Sequence, residues 1–74
     1  MQRDLLLFGP LRDRFGVSSK QIDAPGSQTV RSLLVHLEID PTLVKTALDG
    51  VICDLDTELG DTAEIAILPP VSGG

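Results

Sequence analysis

The stretch TVRSLLVHLEI (29–39) is the clearest single element in the chain, and it sets the architecture. Val30, Leu33, Leu34 and Leu37 fall at i, i+3, i+4 and i+7, so one stripe of a helix is apolar, while Arg31, Ser32, His36 and Glu38 lie off it. Thr29 suits the N-cap, where its hydroxyl can accept from a free backbone N–H. Asp40-Pro41 is expected to stop the helix and to cap a further short turn through TLVK (42–45).

Around this helix the remaining segments read as strands. RDLLLF (3–8) is a short apolar run closed by Gly9-Pro10, and SKQIDAPG (19–26) alternates weakly before a Pro-Gly turn. Between them, PLRDRFG (10–16) predicts one or two helical turns, with Pro10 at the first position and Gly16 past the end. In TALDGVICDLD (46–56), Asp49-Gly50 separates two apolar stretches, a strong hairpin signal because both residues tolerate positive φ. TELGD (57–61) is a turn-rich connection, and AEIAILPP (63–70) is a last strand stopped by its prolines. The order is strand, strand, main helix, then three strands. One amphipathic helix on one mixed five-stranded sheet is a two-layer α+β domain.

Such a sheet has a second face. Side chains alternate across a strand, so Leu5 and Leu7 share one side with the helix, as do Ile65 and Ile67. The opposite parity contains Asp4 and Glu64 but also Leu6, Phe8, Ala66 and Leu68. If the first and last strands are neighbours, these four form an apolar patch, the candidate partner-binding surface. Cover by loops is the alternative.

Composition narrows the function. At 74 residues the chain is one domain that buries only about 60% of its unfolded surface. With no Trp or Tyr, aliphatic side chains carry the core, and little room remains for a deep pocket. Eleven acidic against six basic residues, net −5, argue against nucleic acid and anionic membranes. A lone Cys53 makes no internal disulfide, and the N-terminal apolar run is too short for a leader or a span, so a cytoplasmic protein is expected. Cys53 reads as a small strand side chain and His36 as a solvated helix residue. Asp54, Asp56, Glu58 and Asp61 read as a solvated turn whose spacing does not match a calcium loop, and no metal site is expected.

The segment ILPPVSGG (67–74) remains. Pro69 and Pro70 end the strand and stiffen the root of the tail. Gly73 and Gly74, without side chains, can thread a narrow channel. From Pro69 to Gly74 an extended chain reaches on the order of 20 Å. That geometry suits delivery of a terminal carboxylate into another protein's active site, which requires prior activation, for example as an acyl-adenylate.

With ILPPVSGG at 67–74, LLFGPLRDRFG at 6–16 and LDGVICDLDTELGDTAEIAILPPVSGG at 48–74, the chain resembles the small subunits of molybdopterin synthase, which are sulfur carriers of ubiquitin-like β-grasp fold. The resemblance covers nearly the whole chain. Ile67 and Leu68 depart from it, because many members carry an aromatic there. It implies a β-grasp domain over 1–68 and a flexible, extended C-terminal tail over 69–74. Gly74 would be adenylated and then converted to a thiocarboxylate, with Pro69, Pro70, Val71, Ser72 and Gly73 positioning and threading the arm. Leu6, Phe8, Ala66 and Leu68 would dock the partner. The implied partners are the large subunit of molybdopterin synthase, an adenylating enzyme of the ubiquitin-activating type and a sulfur-transfer protein. The subunit itself would be non-catalytic and bind no cofactor, the ATP being used by the activating enzyme. The alternatives are a carrier of thiazole synthesis or of another sulfur-transfer pathway, and a ubiquitin-like modifier.

Overall fold

The computed structural model describes residues 1–69. The expectations for Pro70, Val71, Ser72, Gly73 and Gly74 lie outside the described residues. The elements are β1 (Gln2–Leu7), α1 (Pro10–Phe15), β2 (Ser19–Asp23), α2 (Val30–His36), a 3-10 turn (Pro41–Leu43), β3 (Lys45–Leu48), β4 (Val51–Cys53) and β5 (Glu64–Leu68). The five strands form one sheet in the order β2-β1-β5-β3-β4. β1 and β5 are parallel at its centre, and the other pairings are antiparallel. A mixed sheet crossed on one face by a single main helix is the expected β-grasp arrangement.

The core lies between α2 and the sheet. Val30, Leu33 and Leu34 pack with Leu5, Leu7, Leu48, Ile65 and Ile67, and every one of these is buried. Leu5, Leu34, Ile65 and Ile67 are 0% exposed, each worth about 1.5–3 kcal/mol of burial. The β3–β4 hairpin turns at Asp49 (φ 49°) and Gly50 (φ 85°), the left-handed pair that the sequence offered. Asp49 also accepts from the N–H of Glu64 at 2.9 Å, so the hairpin tip is tied to the start of β5.

The helix is shorter than its periodicity suggested. It ends at His36, and the Leu37–Ile39 segment of the expected helix is non-helical. Glu38 takes a left-handed conformation (φ 60°), the N–H of Glu38 donates to Val35 O and that of Ile39 to Leu34 O. This is a Schellman closure without glycine. It turns the chain back so that Ile39, 3% exposed, joins the core. Asp40 then caps the 3-10 turn by accepting from Thr42 N at 2.9 Å, a bond that holds its carboxyl below the usual range.

At its N-terminus α2 is stitched to the long 54–63 connection. Val30 N donates to Thr57 O and Arg31 N to Leu55 O, while Thr29 Oγ1 accepts from Ser32 N. Helix N–H groups that would otherwise be orphaned are thus satisfied. The same connection inserts Leu59, 1% exposed, into the core. Its approach to the 24–28 turn is close: a Cβ at Gly26 would lie 3.1 Å from Gly60 O.

One buried side chain falls outside any hydrophobic pattern. Arg3, on the inward parity of β1, is 1% exposed. It donates from Nε to Ala24 O at 3.0 Å, from Nη1 to Thr62 O at 2.7 Å and from Nη2 to Gly60 O at 2.7 Å. Three carbonyl dipoles replace its hydration and join β1 to both turns. Arg3→Met keeps much of the volume but leaves three carbonyls short of a donor. It is expected to lower stability by about 3 kcal/mol in urea unfolding. Conversely, Glu38→Gly relieves the left-handed strain and is expected to add about 1 kcal/mol, read as a rise in Tm.

Candidate functional site

The strand registers determine what stands on the sheet face away from α2. Leu6 pairs with Ala66 across the parallel ladder, Ala66 with Ala47, and Ala47 with Ile52. Directly opposed residues share a face, so these four form one apolar row from β1 to β4. Ala47 and Ala66 are buried but stand apart from the core cluster, while Ile52 is 57% exposed. Small alanines between Leu6 and Ile52 make the row a shallow trough. The neighbouring row on one side carries Asp4 opposite Glu64, and on the other side Leu68 stands opposite Lys45. An apolar surface with carboxylates on one side and a lysine on the other suits a protein partner with an apolar patch and complementary charges at its margin.

Leu6 and Ala66 are therefore immediate neighbours, with Leu68 one step further along β5 on the same face. Phe8 is not in this row. β1 ends at Leu7, and Gly9 comes next but one with φ 58° and ψ −133°, so alternation does not extend to Phe8. Phe8, 42% exposed, instead lines a groove at the end of the sheet with Leu11, Leu43, Val44 and Pro69. Sequence reasoning missed Ala47 and Ile52. Carrying the register through the two-residue Asp49-Gly50 turn would have found both.

Pro69, the last described residue, is exposed and leaves the sheet beside Gly9. A Cβ at Gly9 would lie 3.6 Å from its ring, an ordinary contact distance. The start of the C-terminal arm, the groove and the trough consequently meet at one end of the sheet.

Other candidate groups are inert by their surroundings. Burial, then the neighbouring Asp54 charge, pushes the Cys53 thiol up, opposite to what a reactive thiolate needs. Its Sγ lies 3.6 Å from Thr46 O. Asp54 accepts from Asp56 N at 2.9 Å and from Thr57 Oγ1 at 3.1 Å, and Asp56 pairs with Arg31 at 3.3 Å, which are the contacts of a solvated turn. Among the described residues no group of His, Cys, Asp and Glu could hold a metal ion. No helix among them is long and apolar enough to cross a membrane.

A five-stranded mixed sheet packed on one main helix, with Gly73-Gly74 following its last strand in the sequence, is the arrangement of the ubiquitin-like β-grasp proteins. The chain belongs to the ThiS family, whose model matches residues 5–74. Solved structures agree. Subunit 1 in the complex of subunits 1 and 2 of molybdopterin-converting factor from Helicobacter pylori 26695 is 27% identical, with all of both chains covered and a TM-score of 0.65. A putative molybdopterin-converting factor subunit 1 from Pyrococcus furiosus shares the fold at 23% identity and a TM-score of 0.78, over 96% of this chain and 99% of that one. SAMP1 from Haloferax volcanii shares it at 24% identity and a TM-score of 0.74, with both chains fully covered.

The assignment of faces is directly testable. Ile52→Asp is expected to change stability by no more than about 0.5 kcal/mol, because the side chain is largely in water. Ile67→Asp buries an unpaired carboxylate and is expected to unfold the domain at neutral pH. Circular dichroism melts distinguish the two.

Proposed function

We propose that the chain is the sulfur-carrier small subunit of a molybdopterin synthase. An activating enzyme uses ATP to convert the Gly74 carboxylate to an acyl-adenylate, releasing pyrophosphate. A sulfur-transfer protein then delivers sulfur to the activated carbonyl, AMP departs, and a C-terminal thiocarboxylate remains. The arm from Pro69 through Pro70, Val71, Ser72 and Gly73 carries that group into the large subunit. There the sulfur passes to a pyranopterin precursor, water supplies the oxygen that takes its place on the Gly74 carbonyl, and the carrier returns as a carboxylate to be charged again. In this cycle the chain contributes reach, threading and docking, and the catalytic groups belong to its partners.

The observation that carries this reading is the sequence ILPPVSGG, which begins on β5 beside the apolar trough. The Helicobacter pylori complex supports it, since there a full-length relative of similar sequence is bound to a subunit 2. Two further readings have support of their own. The family is named for the ThiS proteins, which favours a carrier in thiazole synthesis, and the likeness to SAMP1 favours a protein modifier, with Gly74 joined to a lysine amine.

Intact mass separates these readings. Incubation with ATP, the activating enzyme and a sulfur source is expected to raise the mass by one exchange of oxygen for sulfur, and deletion of Gly73 and Gly74 to abolish the rise without changing the melt. Conjugates of higher mass in place of the exchange would identify a modifier. Sulfur delivery that supports molybdopterin formation by a large subunit, and not thiazole formation, would establish the pathway.

A further inference from the structure

The groove at the end of the sheet is a second apolar surface beside the arm. Its volume is about 320 Å³, and Phe8, Leu11, Leu43, Val44 and Pro69 line it. Its floor reaches the core at Ile39, which is 3% exposed, whereas Leu43 on its lip is 58% exposed and Phe8 42%. Arg14 and Asp40 are the charged residues on its margin. Arg14 donates to Glu38 O at 2.7 Å and Asp40 accepts from Thr42 N at 2.9 Å, contacts that hold both charges at the rim and out of the floor. An apolar concavity opening on the core, with its charges confined to the rim, fits an apolar side chain.

We infer that this groove receives an aliphatic or aromatic side chain of the enzyme that adenylates the C-terminus. The reach of the arm selects this occupant. Five residues separate Pro69 from the carboxylate, Gly74 included, and even fully extended they span no more than about 18 Å. A protein holding the Gly74 carboxylate in its active site must therefore come within about 18 Å of Pro69, and Pro69 is itself a wall of the groove. The inference rests on the reading of Gly74 as the activated group. It holds equally for a sulfur carrier and a modifier, because both begin with adenylation. It differs from docking on the trough, because Leu11, Leu43 and Val44 lie outside the Leu6–Ala66–Ala47–Ile52 row.

The test is ATP–pyrophosphate exchange by the activating enzyme encoded in the same genome, with the full chain as substrate. Leu43→Glu places a charge on the lip of the groove at an exposed position. It is expected to raise the KM for the chain at least about tenfold, the scale of losing one interface anchor, with the melt preserved. Val35→Glu makes the same chemical change on the solvent face of α2, where Val35 is 61% exposed, and is expected to act within about twofold of the parent. Leu43→Met should behave as the parent does. Equal KM values for Leu43→Glu and Val35→Glu would overturn the inference while leaving adenylation of Gly74 in place. A parent chain that supports no exchange would remove both. Methyl resonances of Leu11 and Val44 provide a second readout. If they shift when residues 70–74 are deleted from the free chain and not when enzyme is added, the groove belongs to the chain's own arm and the inference fails.

Discussion

The parallel pairing of β1 with β5 organises the whole molecule. It joins residues sixty positions apart, Asp4 to Glu64 through Leu7 to Ile67, in the middle of the sheet. Leu5, Leu7, Ile65 and Ile67 thereby face α2 as one block, and Leu6 meets Ala66 on the opposite side. The same pairing brings the Gly9 turn against Pro69, so the first strand supplies the surroundings of the last strand's exit. Arg3 reinforces it from the other end, where its guanidinium holds the turns at Ala24 and at Gly60–Thr62 against the start of β1.

Much of this was legible in the sequence because local chemistry and tertiary structure agree. Asp49-Gly50 specified its hairpin, Pro10 and Gly16 bounded α1, and Thr29 capped α2. The parity of Leu5, Leu7, Ile65 and Ile67 gave the core face without error. The failures have a common origin in places where one interaction overrides a periodic pattern. Leu37 fits the helical stripe, yet the Schellman closure at Glu38 ends the helix first, a reversal that glycine would have announced and glutamate did not. Phe8 fits the strand parity, yet the ladder stops one residue before it. Arg3 shares the inward parity of Leu5 and Leu7, but the carbonyls that make its burial tolerable come from two distant turns.

The make-up of the sheet's second face was legible in part for the same reason. Leu6 and Ala66 were found because both sit inside regular strands. Ala47 and Ile52 required the register of a second pairing, and the groove required the three-dimensional meeting of α1, the 3-10 turn and Pro69. No single-sequence pattern encodes a concavity assembled from segments so far apart in the chain. The composition is plainer about the body: with no Trp or Tyr in the chain, aliphatic side chains build the core.

The central position of β5 also imposes an order of events. Every other strand is made earlier, but β2-β1 and β3-β4 remain two separate ribbons until residues 64–68 supply the strand between them. Isolated two-stranded ribbons are marginal in water, and closing a sheet through distant partners is slow compared with local folding. The sheet thus closes only once residues 64–68 are available to join the two ribbons. In the proposed cycle, an enzyme that recognises the folded surface around Pro69 would discriminate against immature chains.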